Sequence, residues 1–229
     1  MSEPTKYIPA LKFDWLTKFY DPILKLVMPE QKFKESLIDA MGIEAGHRVL
    51  DFGCGSLTLS ILAAQRYPKA EYFGVDVDKK ILEIASQKMK EANQHIFIQQ
   101  YNGDELPYPD SFFHKVMSSL VFHHLTLRQK YSALEEIYRI LKPGGELHIA
   151  DFGLPSSALQ RFGFYSIQML DGFETTKDSI SNALPRAMKE CDFLNVEEVK
   201  AFNTLVGTVR LMRGIKSKEV NVSKSILYE

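Results

Sequence analysis

The sequence predicts an α/β domain built on a mostly parallel sheet with helices on both faces. From residue 48 to residue 151, short apolar segments alternate with amphipathic segments of helical period. Such alternation over about a hundred residues is typical of a parallel sheet covered on both sides. Two further strand-like segments, residues 196–202 and 208–212, are joined by a connection short enough for a hairpin, which predicts an antiparallel edge.

Each predicted element has a local signal in the sequence. The strands are expected at residues 48–52, 71–76, 95–99, 115–121 and 146–151, and helices at 30–41, 57–66, 78–93 and 185–191, with a further helix opened by Thr126. Asp78 is suited to cap the third helix. Thr126 and Gln129 have the spacing of a capping box. The sequence Pro143-Gly144-Gly145 is expected to end the helix that Thr126 opens.

Three segments lie outside this alternation. Residues 1–29 are aromatic-rich and broken by Pro9 and Pro22, which predicts an N-terminal helical cap on a main domain at 30–215. Within that domain, residues 155–185 are expected to form a helical insertion that acts as a lid over the substrate. Residues 216–229 interleave lysines with Glu219 and are expected to form a solvated tail.

Composition excludes several classes of function. The formal net charge is −1, so no basic field favours nucleic acid as a partner. The two cysteines, Cys54 and Cys191, have neither metal-ligand spacing nor a disulfide pattern. We therefore expect no metal and a reducing compartment, the cytoplasm. No apolar run is long enough to span a bilayer, so no transmembrane segment is expected.

The stretch VLDFGCGSLTLS, residues 49–60, has the layout of a strand, a glycine turn and a helix. Gly53 and Gly55 lack a Cβ, so the backbone turns sharply and a ligand can approach it. The helix that follows directs amide donors and a positive dipole toward such a ligand. A dinucleotide loop has a third glycine where this chain has Thr58. Asp51 disfavours a pyrophosphate and favours an amine or sulfonium, although a tight turn without any ligand stays open.

Acidic side chains follow the next two predicted strands. Asp76 lies twenty-one positions beyond Gly55, a spacing at which an acid reaches ribose hydroxyls. Helix capping is the alternative for such a residue, and it is assigned to Asp78. The pair Gly103-Asp104 follows the third strand and can offer a carboxylate to an exocyclic amine, although taken alone it indicates a plain turn.

With SSLVFHHL at residues 118–125 and ILKPGGEL at 140–147, these motifs resemble class I S-adenosylmethionine-dependent methyltransferases. The resemblance is strongest over residues 42–152 and is to the type 11 group, which includes enzymes of ubiquinone and menaquinone biosynthesis. It implies a Rossmann-like, seven-stranded, mostly parallel sheet with an antiparallel C-terminal strand. It also implies S-adenosylmethionine as cofactor, S-adenosylhomocysteine as product, and a small, apolar methyl acceptor as partner, reached by in-line displacement.

The resemblance also implies roles for individual residues. By this resemblance, the methionine part of the cofactor is received by Gly53, Cys54 and Gly55, with Asp51 near its amino group. The ribose is bound by Asp76. The adenine contacts Val77, and its amine is bound by Asp104 with help from the backbone of Gly103 and Glu105, while Ser119 and Leu120 complete the pocket. The family often has a glycine where this chain has Leu57. We expect Leu57 to pack beside the cofactor without blocking it.

Three residues are candidates for catalysis. His123 is suited to serve as a base because histidine titrates near neutrality. For His124 we favour a role in holding its loop by hydrogen bonds over a role as a base. Tyr20 either bonds at the pocket mouth or belongs to the core. Candidates for an apolar lid are Phe13, Trp15, Phe162, Phe164, Tyr165 and Met169, although core packing is the commoner fate of such residues.

Two other classes of function are weighed against methyl transfer. A binding protein that keeps the fold and the cofactor pocket but transfers nothing stays open on the motifs alone. A nicotinamide-dependent oxidoreductase is disfavoured by Asp51 and Thr58. The motifs leave the acceptor atom and the oligomeric state open.

Overall fold

A computed structural model describes residues 30–153, 183–204 and 207–218 of the chain. The expected N-terminal cap, nearly all of the helical insertion and most of the C-terminal tail lie outside the described residues. Tyr20 and the aromatic and methionine lid candidates also lie outside them.

The described residues form five α-helices, one short 3₁₀ helix and seven strands. In chain order these are α1 (Glu30–Ala40), β1 (Arg48–Phe52), α2 (Thr58–Arg66), β2 (Glu71–Asp76), α3 (Lys79–Glu91), β3 (Phe97–Gln100), β4 (Phe113–Ser119), the 3₁₀ helix (Phe122–His124), α4 (Leu127–Ile140), β5 (Leu141–Gly153), α5 (Ala183–Glu190), β6 (Leu194–Thr204) and β7 (Gly207–Ile215).

All seven strands belong to one sheet with the order β3-β2-β1-β4-β5-β7-β6. The first five strands run parallel, and β7 lies antiparallel between β5 and β6. This confirms the predicted fold class and its antiparallel C-terminal edge. The strand order reverses between β1 and β4, and ligands of open α/β sheets bind in the crevice beyond the carboxyl ends of the strands at such a switch point.

The core consists of two apolar clusters, one on each face of the sheet. Adjacent residues of a strand point to opposite faces, so Val49 belongs to one cluster and Leu50 to the other. The first cluster includes the apolar sides of α1, α2 and α3, and the second includes those of α4 and α5. Burial on both faces explains why adjacent residues of β1, Val49 and Leu50, are both apolar.

Both predicted helix caps are present. The Asp78 carboxylate accepts a hydrogen bond from the Lys80 N–H at the start of α3. Thr126 and Gln129 form the reciprocal capping box at the start of α4. These caps satisfy N–H groups that have no partner inside the helix.

Strand β5 differs from its prediction, because it starts at Leu141 immediately after α4 instead of at residue 146. Gly144 has a φ of 77°, and the pairing with β4 shifts from Phe113↔Leu141 to Lys115↔Glu146. The two glycines therefore form a bulge within a strand and not a turn before one.

Among the helices of the described ranges, none has the length and apolar character needed to cross a membrane.

Candidate functional site

The predicted site residues follow the carboxyl ends of four neighbouring strands, β3, β2, β1 and β4. Parallel strands end at one edge of a sheet, so the four loops border a single crevice. Within the described residues, no cluster of three or more His, Cys, Asp and Glu side chains is arranged to hold a metal ion.

The first loop is anchored to β2 through its backbone. The N–H groups of Gly53 and Cys54 both donate to the Val75 carbonyl oxygen at 2.9 Å. Gly53 has a φ of 69°, and a Cβ placed on it would lie 2.5 Å from Val121 Cγ2. Gly53 therefore allows the segment after β4 to approach, which differs from the expected approach of a ligand. Cys54 is buried in the core and can offer a ligand only its backbone.

Gly55 faces open space and is bonded to the second loop. A Cβ on Gly55 would meet no atom within 4 Å. Its N–H donates to Asp76 Oδ2 at 2.9 Å, and Asp76 Oδ1 accepts from the Asp78 N–H at 3.0 Å. The Asp76 carboxylate thus joins the first two loops. Each carboxylate oxygen has a second lone pair, which leaves Asp76 able to accept from the hydroxyl groups of a ribose.

Leu57 occupies the position where a glycine is common and takes a glycine-like conformation, with a φ of 62°. Its side chain is fully buried in the core. Its Cδ2 atom lies 3.0 Å from where a Cβ on Gly74 would be. The side chain therefore packs beneath the loop against β2 and does not narrow the crevice. This packing agrees with the expectation that Leu57 leaves the cofactor unobstructed, and its place beside a bound cofactor stays a prediction.

Asp51 also lies beneath the loop. It is 2% exposed, and Ser60 Oγ donates a hydrogen bond to Asp51 Oδ2 at 2.6 Å. Burial raises the pKa of Asp51 to about 6, against the lowering effects of Ser60 and Lys34. A buried carboxylate can stabilise a nearby cation through its electric field without touching it. The role of Asp51 near the cofactor's amino group therefore needs no direct contact, and it stays a prediction.

The second and third loops touch each other. A Cβ on Gly103 would lie 3.8 Å from Val77 Cγ1, and Gly103 has a φ of 93°. The Tyr101 N–H donates to the Asp76 carbonyl oxygen at 3.2 Å. Asp104 and Glu105 are exposed, and the Asp104 N–H donates to Asn102 Oδ1 at 3.0 Å. The structure therefore brings Val77 and Gly103 together at one end of the crevice. Asp104 is the next residue after Gly103 in the chain.

Ser119 and Leu120 end β4 in an unusual local structure. Ser119 Oγ is buried and lacks a hydrogen-bond partner among the described residues. Leu120 has a φ of 58°, and its N–H donates to the Ala150 carbonyl oxygen at 2.8 Å. A buried hydroxyl without a partner costs about 1–3 kcal/mol, and positive φ at a leucine stores further strain. Such features fit a site where a polar ligand supplies the missing hydrogen bond.

His123 is buried and bonded to a carboxylate. It is 5% exposed, and its Nδ1 lies 2.6 Å from Asp151 Oδ1. The N–H groups of Val121 and His123 donate to Asp151 Oδ2 at 3.1 and 3.3 Å. Burial by itself raises the pKa of Asp151, but the His123 ring, the hydrogen bond from the Phe152 N–H and the nearby His124 outweigh it and leave that pKa below its ordinary value.

His124 is exposed, and its ring centroid lies 3.9 Å from that of His123. The bonds from Val121 and His123 to Asp151 hold this loop to β5, and the loop-holding role of His124 stays a prediction. Asp151 was missed as a site residue. Asp151 ends a predicted strand as Asp76 does, so the same signal points to it. Its separation of 28 residues from His123 concealed the pair.

Comparison with known proteins identifies the family. The family described as "Methyltransferase domain" matches residues 49–145. A ubiquinone/menaquinone biosynthesis C-methyltransferase of Photorhabdus laumondii is 28% identical over 208 residues, which cover 80% of each chain. A demethylmenaquinone methyltransferase of Symbiobacterium thermophilum is 30% identical over 168 residues, 71% of this chain and 66% of that protein. One of Listeria welshimeri is 32% identical over 127 residues, and this chain spans 53% of its length.

Solved structures agree on the fold. The YcgJ protein of Bacillus subtilis superposes with a TM-score of 0.66 at 19% identity, covering 81% of this chain and 98% of that one. A putative methyltransferase of Bacillus halodurans gives a TM-score of 0.63 at 20% identity, covering 80% and 98%. Taken with the family match and the curated relatives, this fold shows that the chain belongs to the class I S-adenosylmethionine-dependent methyltransferases and is an enzyme that uses this cofactor.

Proposed function

We propose that the enzyme methylates a small, apolar acceptor by in-line displacement, and that the acceptor is a quinone-type ring methylated at carbon. The observation that carries this proposal is the buried pair of His123 and Asp151 at the end of β4 and β5. The pair borders a small cavity of about 20 Å³ that is lined by Phe122, Phe152 and Met212 together with the cationic Lys130 and Arg210. A buried base suits an acceptor carbon that must lose a proton.

The cofactor has a complementary partner along the crevice for each of its parts. Ser119 Oγ and the backbone at Gly55 would hold the methionine end, with Asp51 acting on its ammonium from below. Asp76 would accept from the ribose hydroxyls. The adenine would lie against Val77, and its amine would donate to Asp104. When bound, S-adenosylmethionine supplies an electrophilic methyl group on a sulfonium.

The protein's own contribution to chemistry is the handling of one proton. Methylation at a ring carbon would form a carbon–carbon bond as the bond between the methyl group and the sulfonium sulfur breaks, with S-adenosylhomocysteine as the leaving group. The proton that the ring carbon loses needs an acceptor. With Nδ1 donating to Asp151, the basic lone pair of the neutral His123 ring lies on Nε2. Asp151 then stabilises the imidazolium that forms. Its hydrogen bonds from Val121 and His123 keep the carboxylate oriented and ionised.

The relatives support the choice of acceptor. The names of the Photorhabdus and Symbiobacterium proteins specify ubiquinone, menaquinone or demethylmenaquinone, and the first name specifies a C-methyltransferase. We extend that acceptor class to this chain because the alignment with the Photorhabdus protein reaches 80% of both sequences.

The test is transfer of a labelled methyl group from S-adenosylmethionine to detergent-dispersed demethylmenaquinol by the purified protein. We expect transfer by the wild type and a kcat lower by about 10²–10⁴ for His123→Gln, the usual contribution of a general base. Affinity for S-adenosylhomocysteine should stay within about threefold of wild type. The exposed His95 provides a matched control, and His95→Gln should keep full activity.

Two results would contradict the proposal. If the wild type methylates polar acceptors but not the quinol, the acceptor class is wrong. If folded His123→Gln keeps its kcat, His123 is not the base.

A further inference from the structure

We propose that Glu136 and Arg139 of helix α4 position the loop that carries Gly103, Asp104 and Glu105, and thereby set how selectively the enzyme binds the adenine end of its cofactor. The proposal rests on the role assigned above to Asp104. Neither Glu136 nor Arg139 lies at the crevice edge, so they would act through the loop and are positioning residues.

Arg139 donates three hydrogen bonds to this loop. Its Nη1 donates to the Tyr108 carbonyl oxygen at 2.9 Å and to Asp110 Oδ1 at 2.8 Å. Its Nη2 donates to the Leu106 carbonyl oxygen at 3.0 Å. One guanidinium thus fixes two backbone carbonyls and a side chain within five residues. A lysine cannot reproduce these contacts, because its single ammonium has no planar fork of donors.

Glu136 completes the attachment. Its Oε2 accepts the Leu106 N–H at 2.8 Å, so both polar backbone groups of Leu106 are bonded to α4. Arg139 Nε and Nη2 also donate to the two Glu136 carboxylate oxygens at 2.9 and 2.7 Å, a bidentate pair. The side chains are only 21% and 26% exposed, and the hydrogen bond from Arg139 lowers the pKa of Glu136.

The loop needs such external support because it has little structure of its own. Residues 101–112 form neither helix nor strand, and residues 102–105 are exposed. At its start the loop is tied to β2 through the bond from the Tyr101 N–H to the Asp76 carbonyl oxygen. At its far end the buried Leu106 and the bonds to α4 hold it. Asp104 therefore lies between two fixed points, and removing one of them leaves its position poorly defined.

The same loop borders an open pocket that is large enough for a small-molecule ligand. Tyr101, Glu105, Leu106 and Tyr108 are among the residues that line an open pocket of about 520 Å³. Small-molecule pockets typically measure roughly 300–1,000 Å³. Movement of residues 106–108 would change this pocket together with the position of Asp104. An effect on ligand selectivity follows, beyond an effect on stability.

The experiment compares two ligands by calorimetry, S-adenosylhomocysteine and S-inosylhomocysteine, which has an oxygen in place of the adenine amine. We expect the wild type to prefer S-adenosylhomocysteine. Arg139→Met should weaken its binding about tenfold, which is about 1.4 kcal/mol. Binding of the inosyl ligand should change less, so the preference falls. Glu136→Gln should show a smaller loss, because its amide oxygen still accepts the Leu106 N–H.

The control removes an arginine away from the site that is also paired with a glutamate of its own helix. Arg186 lies on α5, 3.8 Å from Glu190, and is mostly exposed. Arg186→Met should leave both affinities unchanged. Hydrogen exchange provides a readout without ligand: amides of residues 101–110 should exchange faster in Arg139→Met, while those of α4 keep their protection. The kcat at saturating cofactor should stay within about threefold of wild type, because the reacting end is untouched.

Each outcome decides a separate point. An unchanged preference between the two ligands in a folded Arg139→Met, or unchanged loop exchange, would overturn the positioning role. If Arg139→Met does not fold, the same two measurements on Glu136→Gln decide. If the wild type binds both ligands equally, the role of Asp104 is wrong and the adenine part of this inference fails with it. If the wild type binds neither ligand, the assignment of the cofactor crevice itself is wrong.

Discussion

Replacing Leu57 by alanine and by glycine separates two opposing effects at one position. The side chain is fully buried, so its removal costs burial and leaves a cavity. Its φ of 62° is unfavourable for every residue with a Cβ, by roughly 1–2 kcal/mol. Alanine loses the burial and keeps the strain, whereas glycine loses the burial and relieves the strain.

The magnitudes follow from the environment. Leucine-to-alanine changes in cores cost about 2–5 kcal/mol, and we expect about 3 kcal/mol for Leu57→Ala. Leu57→Gly should be about 1 kcal/mol more stable than Leu57→Ala, since glycine adopts this conformation readily. For a chain of this size about 3 kcal/mol lowers Tm by roughly 6–12 °C.

Gly74 provides a second, coupled change. A Cβ on Gly74 would lie 3.0 Å from both Leu57 Cδ2 and Cys54 Sγ. Gly74→Ala should therefore cost about 1–3 kcal/mol through overpacking. In the double variant Leu57→Ala/Gly74→Ala the cost should be less than the sum of the two, because the first change makes room for the second.

The assay is urea unfolding followed by circular dichroism, with calorimetric binding of S-adenosylhomocysteine to each folded variant. Affinity should stay within about threefold of wild type, a difference below about 0.7 kcal/mol. The reasoning fails if Leu57→Ala unfolds like wild type or if glycine is the less stable replacement. A marked gain of affinity would show that the side chain had narrowed the crevice.

Two further predictions concern Asp51 and the glycines of the loop. Burial raises the pKa of Asp51 to about 6 from an unfolded value near 3.9, so its ionisation costs stability as pH rises between these values. Asp51→Asn should be more stable than wild type at pH 7, by up to about 3 kcal/mol. Its advantage should vanish near pH 4, and equal stability differences at both pH values in urea unfolding would refute this. Gly53→Ala should cost about 2–4 kcal/mol because its Cβ meets Val121 and its φ is positive. Gly55→Ala, which meets nothing, should cost only about 1 kcal/mol, and thermal unfolding that ranks them oppositely would be inconsistent with the packing of Gly53 on Val121.

Local signals in the sequence were sufficient for much of the fold. β1 and β2 have the predicted bounds, because each is a short apolar run between polar residues. The capping residues Asp78 and Thr126 were also predicted, since a cap needs only neighbours within three positions. The predicted start of β5 at residue 146 was wrong, because glycine is typical of both a turn and a bulge. Only the pairing with β4 distinguishes the two.

The candidate site residues that could be predicted are those whose type and position at or just after a predicted strand end indicate a function. Asp76 and Gly55 were singled out on that basis, and they are in direct contact. Contacts between distant residues were not predictable. The pairing of His123 with Asp151, and that of Arg139 with Leu106, join residues 28 and 33 positions apart. The packing of Val121 on Gly53 likewise depends on how close β1 and β4 lie in the finished sheet.

Calorimetric titration of the wild type and Asp76→Ala with S-adenosylhomocysteine and with NAD tests whether the crevice binds the sulfonium cofactor. We expect the wild type to bind S-adenosylhomocysteine and not the dinucleotide. Asp76→Ala should weaken that binding about 10–100-fold, through lost ribose hydrogen bonds and the lost link to Gly55. Equal affinity in a folded Asp76→Ala, or binding of the dinucleotide alone, would contradict it.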